Sequence, residues 1–547
     1  MKGNIPMDKK KEFNLLEEPW IKVVHADCRE EEVSLIDIFL NAHNYLDLSG
    51  DTSAQDIAVL RLLLAILHAV FEQTDEEGNE APIDDLDGAY ERWESIWKRG
   101  SFPEAPIRDY LEHWKERFWL FHPETPFWQF PQAETASEYS AAKLNGMISE
   151  SANKIRLFSP RSSTSKNCLT YSEAARWLLY LNGFDDGAVK PSKQEKALGK
   201  DKRVVMGISW LGELGLIQAV GENLFETLML NLVLLDKDQE PWESAEPIWE
   251  KPPFTQMICR EIIPKADQAA LLTVQSRRML LTRSGGMVTG YHIVKGDRIE
   301  KKNCFLEQMT LWKEINDKTE DYYVPRTHQR NVKIWREFSS MVRPANDNCL
   351  PGLIKWLNRL IGKKLMDRSL VRFRSVGVRY DSSQMSAVTD CFDDSLSFHS
   401  AILLDSGKEW IETIENEVDW CDQLAKIVGW FATQLDFAGG NKKDSSGNKE
   451  KEQFYYRIDI PFREWLLKLD PNQGDTDRIA LQSEWRTTAF RIAEVLGQEM
   501  VNSSGPAAYS GRIVKKNESD PGVFYSAPKA YVSFKYRINK WRKGEKI

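Results

Sequence analysis

Two pairs of neighbouring aspartates are the residues of this sequence best suited to metal chemistry. Asp185-Asp186 and Asp393-Asp394 could each bind a divalent cation through their carboxylate oxygens, although adjacent acids in loops are more often solvated turn residues. The sequence has no phosphate-binding G-x-x-x-x-G-K-[ST], no H-E-x-x-H and no G-x-S-x-G motif, and its eight histidines never form a close pair. We therefore predict no catalytic residues, no metal site and no cofactor. A metal-dependent nuclease that uses the paired aspartates is the minor alternative.

A group of cations is suited to binding phosphate. Between positions 355 and 379 the chain carries eight cations and one acid, Asp367, although its net charge is -9. The cations are Lys355, Arg359, Lys363, Lys364, Arg368, Arg372, Arg374 and Arg379. Such a concentration of Lys and Arg attracts nucleic acid. An ordinary hairpin whose arginines face water has the same composition, so charge alone leaves both interpretations open.

The elements that position these cations are two predicted strands. Apolar and polar residues alternate from Leu370 to Val378, the pattern breaks at Asp381-Ser382-Ser383-Gln384, and an extended pattern resumes through Phe398 to Leu404. Runs rich in Val, Arg and Tyr on either side of an Asp/Ser cluster are typical of strands joined by a turn. The sequence therefore predicts a hairpin with a polar tip.

Helices are predicted both before and after this hairpin. Residues 53–72 are apolar on most sides, which is typical of a buried helix. Thr170 and Glu173 form a capping box that begins another helix, and the apolar run 216–235 predicts a third.

The last part of the chain is different in character. Four long segments, 409–437, 452–469, 475–500 and 522–541, carry helical apolar periods. We predict an α+β protein with a mixed domain at 13–402, which holds the hairpin, and a four-helix bundle at 403–547.

Composition limits the function. The 42% hydrophobic content and nineteen tryptophans are typical of a globular protein, and we expect no membrane-spanning segment. The seven scattered cysteines favour a reduced, cytoplasmic protein. A sequence pI near 5.7 argues against a free-standing, non-specific DNA-binding protein, since affinity for phosphate depends on dense Lys and Arg. Any contact with nucleic acid is therefore expected to be local or assisted by partners.

Several blocks of this sequence resemble a known family. They are FNLLEEPWIKV, LSGDTSAQDIAVLRLLLAILH, HPETPFWQF, NKIRLFS, EAARWLLYLNGFDD and GVRYDSSQ. In this order and spacing they resemble the CasA family, the large subunit of the type I-E CRISPR surveillance complex (Cascade). The resemblance covers nearly the whole chain, including the change to a C-terminal bundle.

The resemblance implies a non-enzymatic subunit. Its expected partners are the other Cascade proteins, the 5′ handle of the CRISPR guide RNA, double-stranded target DNA and a helicase-nuclease. Its implied function is to recognise the protospacer-adjacent motif in duplex DNA, to start strand separation and to help recruit the helicase-nuclease. A purely structural subunit, in which the hairpin only packs against neighbours, is the alternative.

The resemblance also implies particular residues at the DNA. Ser383, Gln384 and Met385 match the family's hairpin tip, and Gln384 is the expected wedge under the motif. The family's motif-contacting lysine corresponds to Lys301 or Lys302, and the sequence does not distinguish them.

A glycine loop of the family aligns with residues 184–188, where only Gly187 of the core is glycine. Asp185 and Asp186 depart from the family pattern, because a carboxylate is unfavourable close to phosphate or a base. Either this loop is displaced, or its acids serve the recruited nuclease or internal hydrogen bonds.

The loop 153–163 matches the family's docking segment. The resemblance implies Phe158 as its anchor, with a packed-core Phe as the alternative. The other implied docking residues are Asn153, Lys154, Arg156 and Arg161. Some relatives carry a zinc element where this chain has residues 282–286, which contain no cysteine, so no metal is implied.

Overall fold

The structure of the protein is a computed structural model that describes residues 10–150, 159–187, 206–254, 261–262, 265–344, 346–381, 387–440, 446–515 and 521–544. Within these ranges the chain has the predicted α+β composition, with fifteen α-helices and seventeen β-strands. The helices are Leu35–Leu40, Ser53–Phe71, Leu86–Arg99, Glu104–His113, Ala141–Leu144, Tyr171–Phe184, Leu224–Asn231, Gln268–Leu272, Phe338–Val342, Gly352–Gly362, Lys408–Gly439, Ser446–Leu467, Asp475–Asn502, Pro506–Ser510 and Ala527–Arg542. The strands are Glu12–Asn14, Ile21–Val24, Glu30–Val33, Asp47–Leu48, Trp119–Phe121, Glu138–Ser140, Leu216–Val220, Glu261–Ile262, Arg277–Ser284, Met287–Lys295, Arg298–Ile299, Trp312–Ile315, Tyr322–Pro325, Leu370–Asp381, Ala387–His399, Arg512–Val514 and Val523–Tyr525.

The chain divides into two units. The first comprises Met1–Arg330, Pro344–Met366 and Arg372–Ser395, and the second comprises Asn331–Arg343, Asp367–Val371 and Leu396–Ile547. The division lies near the predicted boundary at residue 402, but the unit that contains the bundle also takes in two short earlier segments. Composition could not indicate that these two segments belong with the bundle, because tertiary contacts and not residue types join them to it.

The core of the first unit is built around the helix Ser53–Phe71. Thr52 caps its start by accepting a hydrogen bond from the Gln55 backbone, and almost every following side chain is buried. This helix has the length and composition of a membrane span, but 94% of its most apolar window is buried inside the fold. It packs against the helices Tyr171–Phe184 and Gln268–Leu272, so its apolar surface is covered by protein.

The helix Tyr171–Phe184 begins as predicted. The Thr170 side chain accepts a hydrogen bond from the Glu173 backbone, and the Glu173 side chain accepts one from the Thr170 backbone. The predicted capping box is therefore confirmed. At its other end the backbone turns to an extended conformation at Asp185, so the residues that follow leave the helix axis.

The strands form small sheets of two or three strands instead of one large sheet. The predicted hairpin strands are present as Leu370–Asp381 and Ala387–His399. The first of these strands lies in the middle of a three-stranded sheet and pairs antiparallel with Leu216–Val220, with Arg372 opposite Val220 and Val376 opposite Leu216. The extended pattern predicted as far as Leu404 is wrong at its end, because Ser400–Leu403 is a 3-10 helix.

The predicted helix over 216–235 is wrong in its first part. Leu216–Val220 is a strand, and the helix is shorter, Leu224–Asn231, with Asn223 as its N-cap. Short, wholly apolar runs fit a buried strand as well as a buried helix, and here the hairpin offers the backbone a hydrogen-bonding partner.

The second unit contains the predicted four-helix bundle. Its long helices are Lys408–Gly439, Ser446–Leu467, Asp475–Asn502 and Ala527–Arg542, close to the predicted segments. The first helix contacts the other three, and aromatic rings fill the space between them. The Phe431 and Phe534 rings stack with centroids 4.4 Å apart, and Trp465 stacks on Trp485 at 5.7 Å. The expected bundle is confirmed.

Candidate nucleic-acid interface

Several of the predicted contact residues lie outside the described part of the chain. They are Asn153, Lys154, Arg156, Phe158, Ser383, Gln384 and Met385. Their predicted roles stay predictions. The structure describes the segments that lead to the hairpin tip and to the glycine loop, and it describes Gly187, Lys301, Lys302 and Arg161.

The hairpin strand is anchored two residues before the undescribed tip. The Tyr380 hydroxyl donates a hydrogen bond to the Phe184 carbonyl oxygen at 3.0 Å. The Tyr380 ring lies against Gly212, where an added Cβ would overlap the hydroxyl. Removal of that hydroxyl from water raises the pKa of Tyr380 well above its usual value, so it acts as a neutral donor. This bond joins the base of the hairpin to the end of the helix Tyr171–Phe184.

The first acid of the glycine-loop position is held inside the protein. Asp185 is buried, and its Oδ2 accepts a hydrogen bond from Arg277 Nε at 2.5 Å. Arg277 Nη2 donates a hydrogen bond to the Asp186 carbonyl oxygen at 3.1 Å. Of the alternatives left open by the sequence, the internal hydrogen bond is the one observed for Asp185. Gly187 follows directly and is half-buried.

Arg277 itself is fixed by backbone contacts. Its N–H donates to Asn182 Oδ1 at 3.0 Å, and Asn182 Nδ2 donates to the Val274 carbonyl at 3.0 Å. Arg277 begins the hairpin Arg277–Ser284 and Met287–Lys295, whose turn contains Gly285 and Gly286 at positive φ. The guanidinium has its own acceptors, which are the Asp185 carboxylate and the carbonyl oxygens of Ser276, Asp186 and Gly207. A buried guanidinium needs such a set, since an unpaired buried charge is strongly destabilising.

The two candidate lysines have different surroundings. Lys301 Nζ forms an ion pair with Glu213 Oε1 at 2.6 Å. Lys302 is exposed, and its Nζ lies 4.9 Å from the centroid of the Tyr322 ring. Glu213 ends the short 3-10 helix Trp210–Glu213, directly after the Gly212 that contacts Tyr380. The Lys301 side chain and the base of the hairpin therefore meet the same turn.

A buried polar network anchors this turn. Trp210 Nε1 donates to Glu307 Oε2 at 3.1 Å. Arg61, on the buried helix Ser53–Phe71, donates to both carboxylate oxygens of Glu307 at 2.8 Å each. We did not predict these residues from the sequence. The available signal was Arg61, a charge inside an otherwise apolar buried helix, because buried charges are nearly always paired.

The cationic stretch is less concentrated than predicted. Lys355 and Arg359 lie on the helix Gly352–Gly362, and Lys363 and Lys364 follow it directly, so they are not part of the hairpin. The prediction that all eight cations belong to one hairpin is therefore wrong. The physical reason is the amphipathic period from Leu353 to Leu360, which forms a helix before the strand begins.

The strand Leu370–Asp381 itself carries three arginines. Arg372 and Arg379 are exposed, whereas Arg374 Nη2 pairs with Asp47 Oδ2 at 2.5 Å. Two of the three charges are therefore presented to solvent, one of them beside Tyr380.

Arg161 takes part in contacts within the first unit. Its guanidinium pairs with Glu173 and donates to the Cys168 carbonyl at 3.1 Å. Glu173 is the acid of the capping box, so Arg161 supports the start of the helix Tyr171–Phe184. Its predicted contact with RNA stays a prediction.

The paired aspartates do not form paired ligands. Asp185 is bound by Arg277, and Asp393 and Asp394 are successive residues of the strand Ala387–His399, whose side chains point to opposite faces of the sheet. Across the described ranges, no group of three or more His, Cys, Asp or Glu side chains is placed to hold a metal ion. This geometry gives the nuclease alternative no support.

Comparisons with known proteins agree with the resemblance. The family model described as CRISPR-associated protein Cse1 matches residues 14–496. CasA/Cse1 of Thermus thermophilus is 28% identical over 462 residues, which are 84% of this chain and 82% of that protein. The crystal structure of Thermobifida fusca Cse1 has a TM-score of 0.80 at 26% identity and covers 97% of this chain and 98% of that chain. A chain of a CRISPR RNA-guided surveillance complex has the same fold, with a TM-score of 0.69 at 15% identity over 96% of this chain and 99% of its own. This chain therefore belongs to the CRISPR-associated Cse1 (CasA) family.

Proposed function

We propose that this protein is the non-catalytic large subunit of a cytoplasmic CRISPR Cascade complex. In this proposal it recognises the protospacer-adjacent motif in the minor groove of duplex DNA and promotes local strand opening for pairing by the guide RNA. It also helps to recruit a helicase-nuclease. Family membership and the likeness to a chain of a CRISPR RNA-guided surveillance complex support the proposal.

The observation that carries the DNA-binding part is the meeting of three segments at the turn Trp210–Glu213. Tyr380 brings the base of the hairpin to Gly212, its hydroxyl binds the Phe184 carbonyl at the entrance to the Gly187 loop, and Lys301 binds Glu213. These are the three segments that the resemblance assigns to DNA. Their convergence supports a single interface made from parts that are distant in the sequence.

The energetics of opening are compatible with a small wedge. Separating the first base step costs a few kcal/mol, which an inserted side chain and nearby cations can offset. Pairing of the guide RNA next to the motif then continues the exchange of strands. Because the minor groove mainly distinguishes A·T from G·C, we expect the protein to tolerate several motifs.

The charge of the chain supports dependence on partners. With a net charge of -9, the isolated subunit can neutralise only a few phosphates, so its own DNA binding should be weak and strongly salt-sensitive. In the proposal, the loop around Phe158 docks the subunit on the guide-RNA complex. Phe158→Ala should reduce retention of the subunit during purification of the assembled complex, and normal retention would refute the anchor.

The decisive test is Gln384→Ala in the reconstituted complex. A fluorescent base analogue beside the motif reports strand opening, and size-exclusion chromatography reports assembly. We expect opening to be lost while assembly is kept. Asp393→Asn, at an exposed position of the same hairpin, is the matched control and should retain opening. Normal strand opening with Gln384→Ala would contradict the proposed wedge role of Gln384 and favour the purely structural subunit.

The nuclease alternative has a separate test. The isolated chain is incubated with labelled duplex and Mg²⁺ or Mn²⁺, and the products are separated on a denaturing gel. We expect intact DNA, whereas metal-dependent cleavage that Asp393→Asn abolishes would establish the alternative.

A further inference from the structure

Glu213 places a carboxylate directly on one of the two lysines proposed to contact the DNA motif. The distance between Lys301 Nζ and Glu213 Oε1 is 2.6 Å, and the two side chains are 32% and 17% exposed, respectively. This pair is therefore reachable from solvent, unlike the buried pair of Arg61 and Glu307. A duplex that contacts Lys301 must also meet the charge of Glu213.

The backbone at Glu213 has little freedom to move away. On one side Gly212 packs against the Tyr380 hydroxyl, and on the other Trp210 is bound to the buried Glu307. The Gly215 backbone, two residues further on, donates to Thr310 Oγ1 at 3.0 Å. The backbone that carries Glu213 is therefore fixed beside the hairpin base, so the side chain keeps its point of attachment there whether or not Lys301 stays paired.

The energetics of a partly exposed ion pair allow exchange. Such pairs contribute little net stability, so another acceptor can replace Glu213 at small cost. After the exchange, however, Glu213 would lie near the DNA backbone, and its charge would repel phosphates. A duplex that offers Lys301 only phosphates gains little from the exchange, whereas a duplex that also offers correctly placed base acceptors gains more.

We propose that Glu213 is a specificity-determining residue of the DNA interface. It holds Lys301 until the minor-groove acceptors of a matching motif replace it, and it weakens the binding of duplexes that lack the motif. This inference rests on the proposed function of the hairpin, the Gly187 loop and Lys301. In this inference an acidic residue, Glu213, discriminates against DNA that lacks the motif.

The test is Glu213→Gln in the reconstituted complex, measured against a duplex library randomised at the motif positions. Glutamine keeps the shape of the side chain and removes the charge. We expect binding to motif-lacking duplexes to strengthen by up to about 5-fold, the most that release of a partly exposed ion pair supplies. Binding to the best motifs should change less, so that discrimination falls. The slope of log K against log salt should steepen by about one, because one more cation becomes available to phosphate.

A double-variant cycle shows whether the effect passes through Lys301. In a Lys301→Met background, Glu213→Gln should no longer strengthen the binding of motif-lacking duplexes. In a Lys302→Met background the effect of Glu213→Gln should persist, because the Lys302 ammonium lies over Tyr322 and not on Glu213. Thermal unfolding of each variant accompanies the binding measurements.

The outcomes separate this inference from the proposed function. If Lys301→Met lowers discrimination but Glu213→Gln changes neither discrimination nor the salt slope, the role of Glu213 is overturned and the proposed function stands. If Glu213→Gln lowers the unfolding temperature and weakens all duplexes equally, Glu213 is only a structural residue and the inference also fails. If Lys301→Met and Gln384→Ala both leave discrimination and opening intact, the proposed function fails and the inference fails with it.

Discussion

The helical bundle and the candidate DNA interface are stabilised in different ways. Along the bundle, apolar residues repeat with the helical period, and rings such as those of Phe431 and Phe534 stack between helices. The interface depends on single polar contacts between residues far apart in the sequence. Arg277 and Asp185 are 92 residues apart, and Tyr380 and Phe184 are 196 residues apart.

This difference has consequences for substitutions. Packing energy in the bundle is spread over many side chains, so one substitution should change stability without altering one particular contact between segments. In the interface each polar contact joins two segments, so its loss should change the relative placement of those segments as well as stability. Three predictions test this difference and one tests a partly buried acid at the start of the helix Ser53–Phe71, from the largest expected effect to the smallest.

The largest effect is expected from Phe534→Ala in the bundle. Phe534 is fully buried, and its truncation should lower the free energy of unfolding by about 3–5 kcal/mol because it leaves a cavity. Tyr536→Ala is the matched control, since Tyr536 lies on the same helix and is 66% exposed. Urea denaturation followed by circular dichroism measures both variants. A loss of similar size for Tyr536→Ala would contradict the assignment of the bundle core.

The next effect is expected from Arg277→Ala in the interface. The substitution leaves the Asp185 carboxylate buried without its cation, which should cost about 3 kcal/mol. The double variant Arg277→Met/Asp185→Leu should recover much of the stability, because it removes both charges. DNA opening should stay impaired in the double variant even where stability returns. Full recovery of opening would show that the pair has no positioning role.

The third prediction concerns pH. Burial raises the pKa of Asp56 to about 7 from its ordinary value of 3.8, against the opposing effect of a hydrogen bond from the Gly50 backbone at 2.7 Å. The folded state therefore binds this proton more tightly than the unfolded chain does. The resulting stabilisation is complete below about pH 4 and is lost as the pH rises towards 7.

Asp56→Asn should remove this pH dependence. We expect the difference in unfolding free energy between pH 4 and pH 7 to shrink by about 2 kcal/mol, less than the full shift implies because the side chain is partly exposed to water. Asp87→Asn is the control, since Asp87 is also a first-turn acid but is exposed. Chemical denaturation across this pH range measures the effect. Parallel pH profiles for wild type and Asp56→Asn would contradict the assignment.

The smallest effect on stability is expected from Tyr380→Phe. The loss of one hydrogen bond to the Phe184 carbonyl should cost about 1 kcal/mol. Its effect on strand opening should be larger than that of Arg372→Ala, an exposed position on the same strand further from the tip. Equal opening by the two variants would indicate that the bond does not position the hairpin tip.

Much of the fold could be predicted from local patterns. The helical periods predicted the four bundle helices, and Thr170 with Glu173 predicted the start of a helix. The alternation after Leu370 predicted the hairpin. These predictions succeeded because neighbouring residues determine caps, periods and turns. The run 216–220 was mistaken for helix because an apolar stretch that short has no period of its own, and its strand partner comes more than 150 residues later.

The candidate site was less predictable. The resemblance pointed to the hairpin tip, the Gly187 loop and the two lysines, but no pattern indicated that Glu213 binds Lys301 or that Arg277 binds Asp185. An ion pair has no sequence period, because it requires only that two side chains meet in space. Arg61 was the exception, since a charge within a buried apolar helix implies a partner.

The sequence by itself determined the elements of this protein, its family resemblance and the contrast between a mixed first part and a helical last part. Local backbone preferences and apolar periods are short-range properties, and a chain displays them before it folds. The tertiary structure alone decided which charges are held inside and which stay exposed. Asp185 is neutralised by Arg277, Lys301 is bound by Glu213, and Arg379 remains exposed on the hairpin. The physical reason is that electrostatic interactions depend on distance and burial, which residues distant in sequence acquire only when the chain is packed.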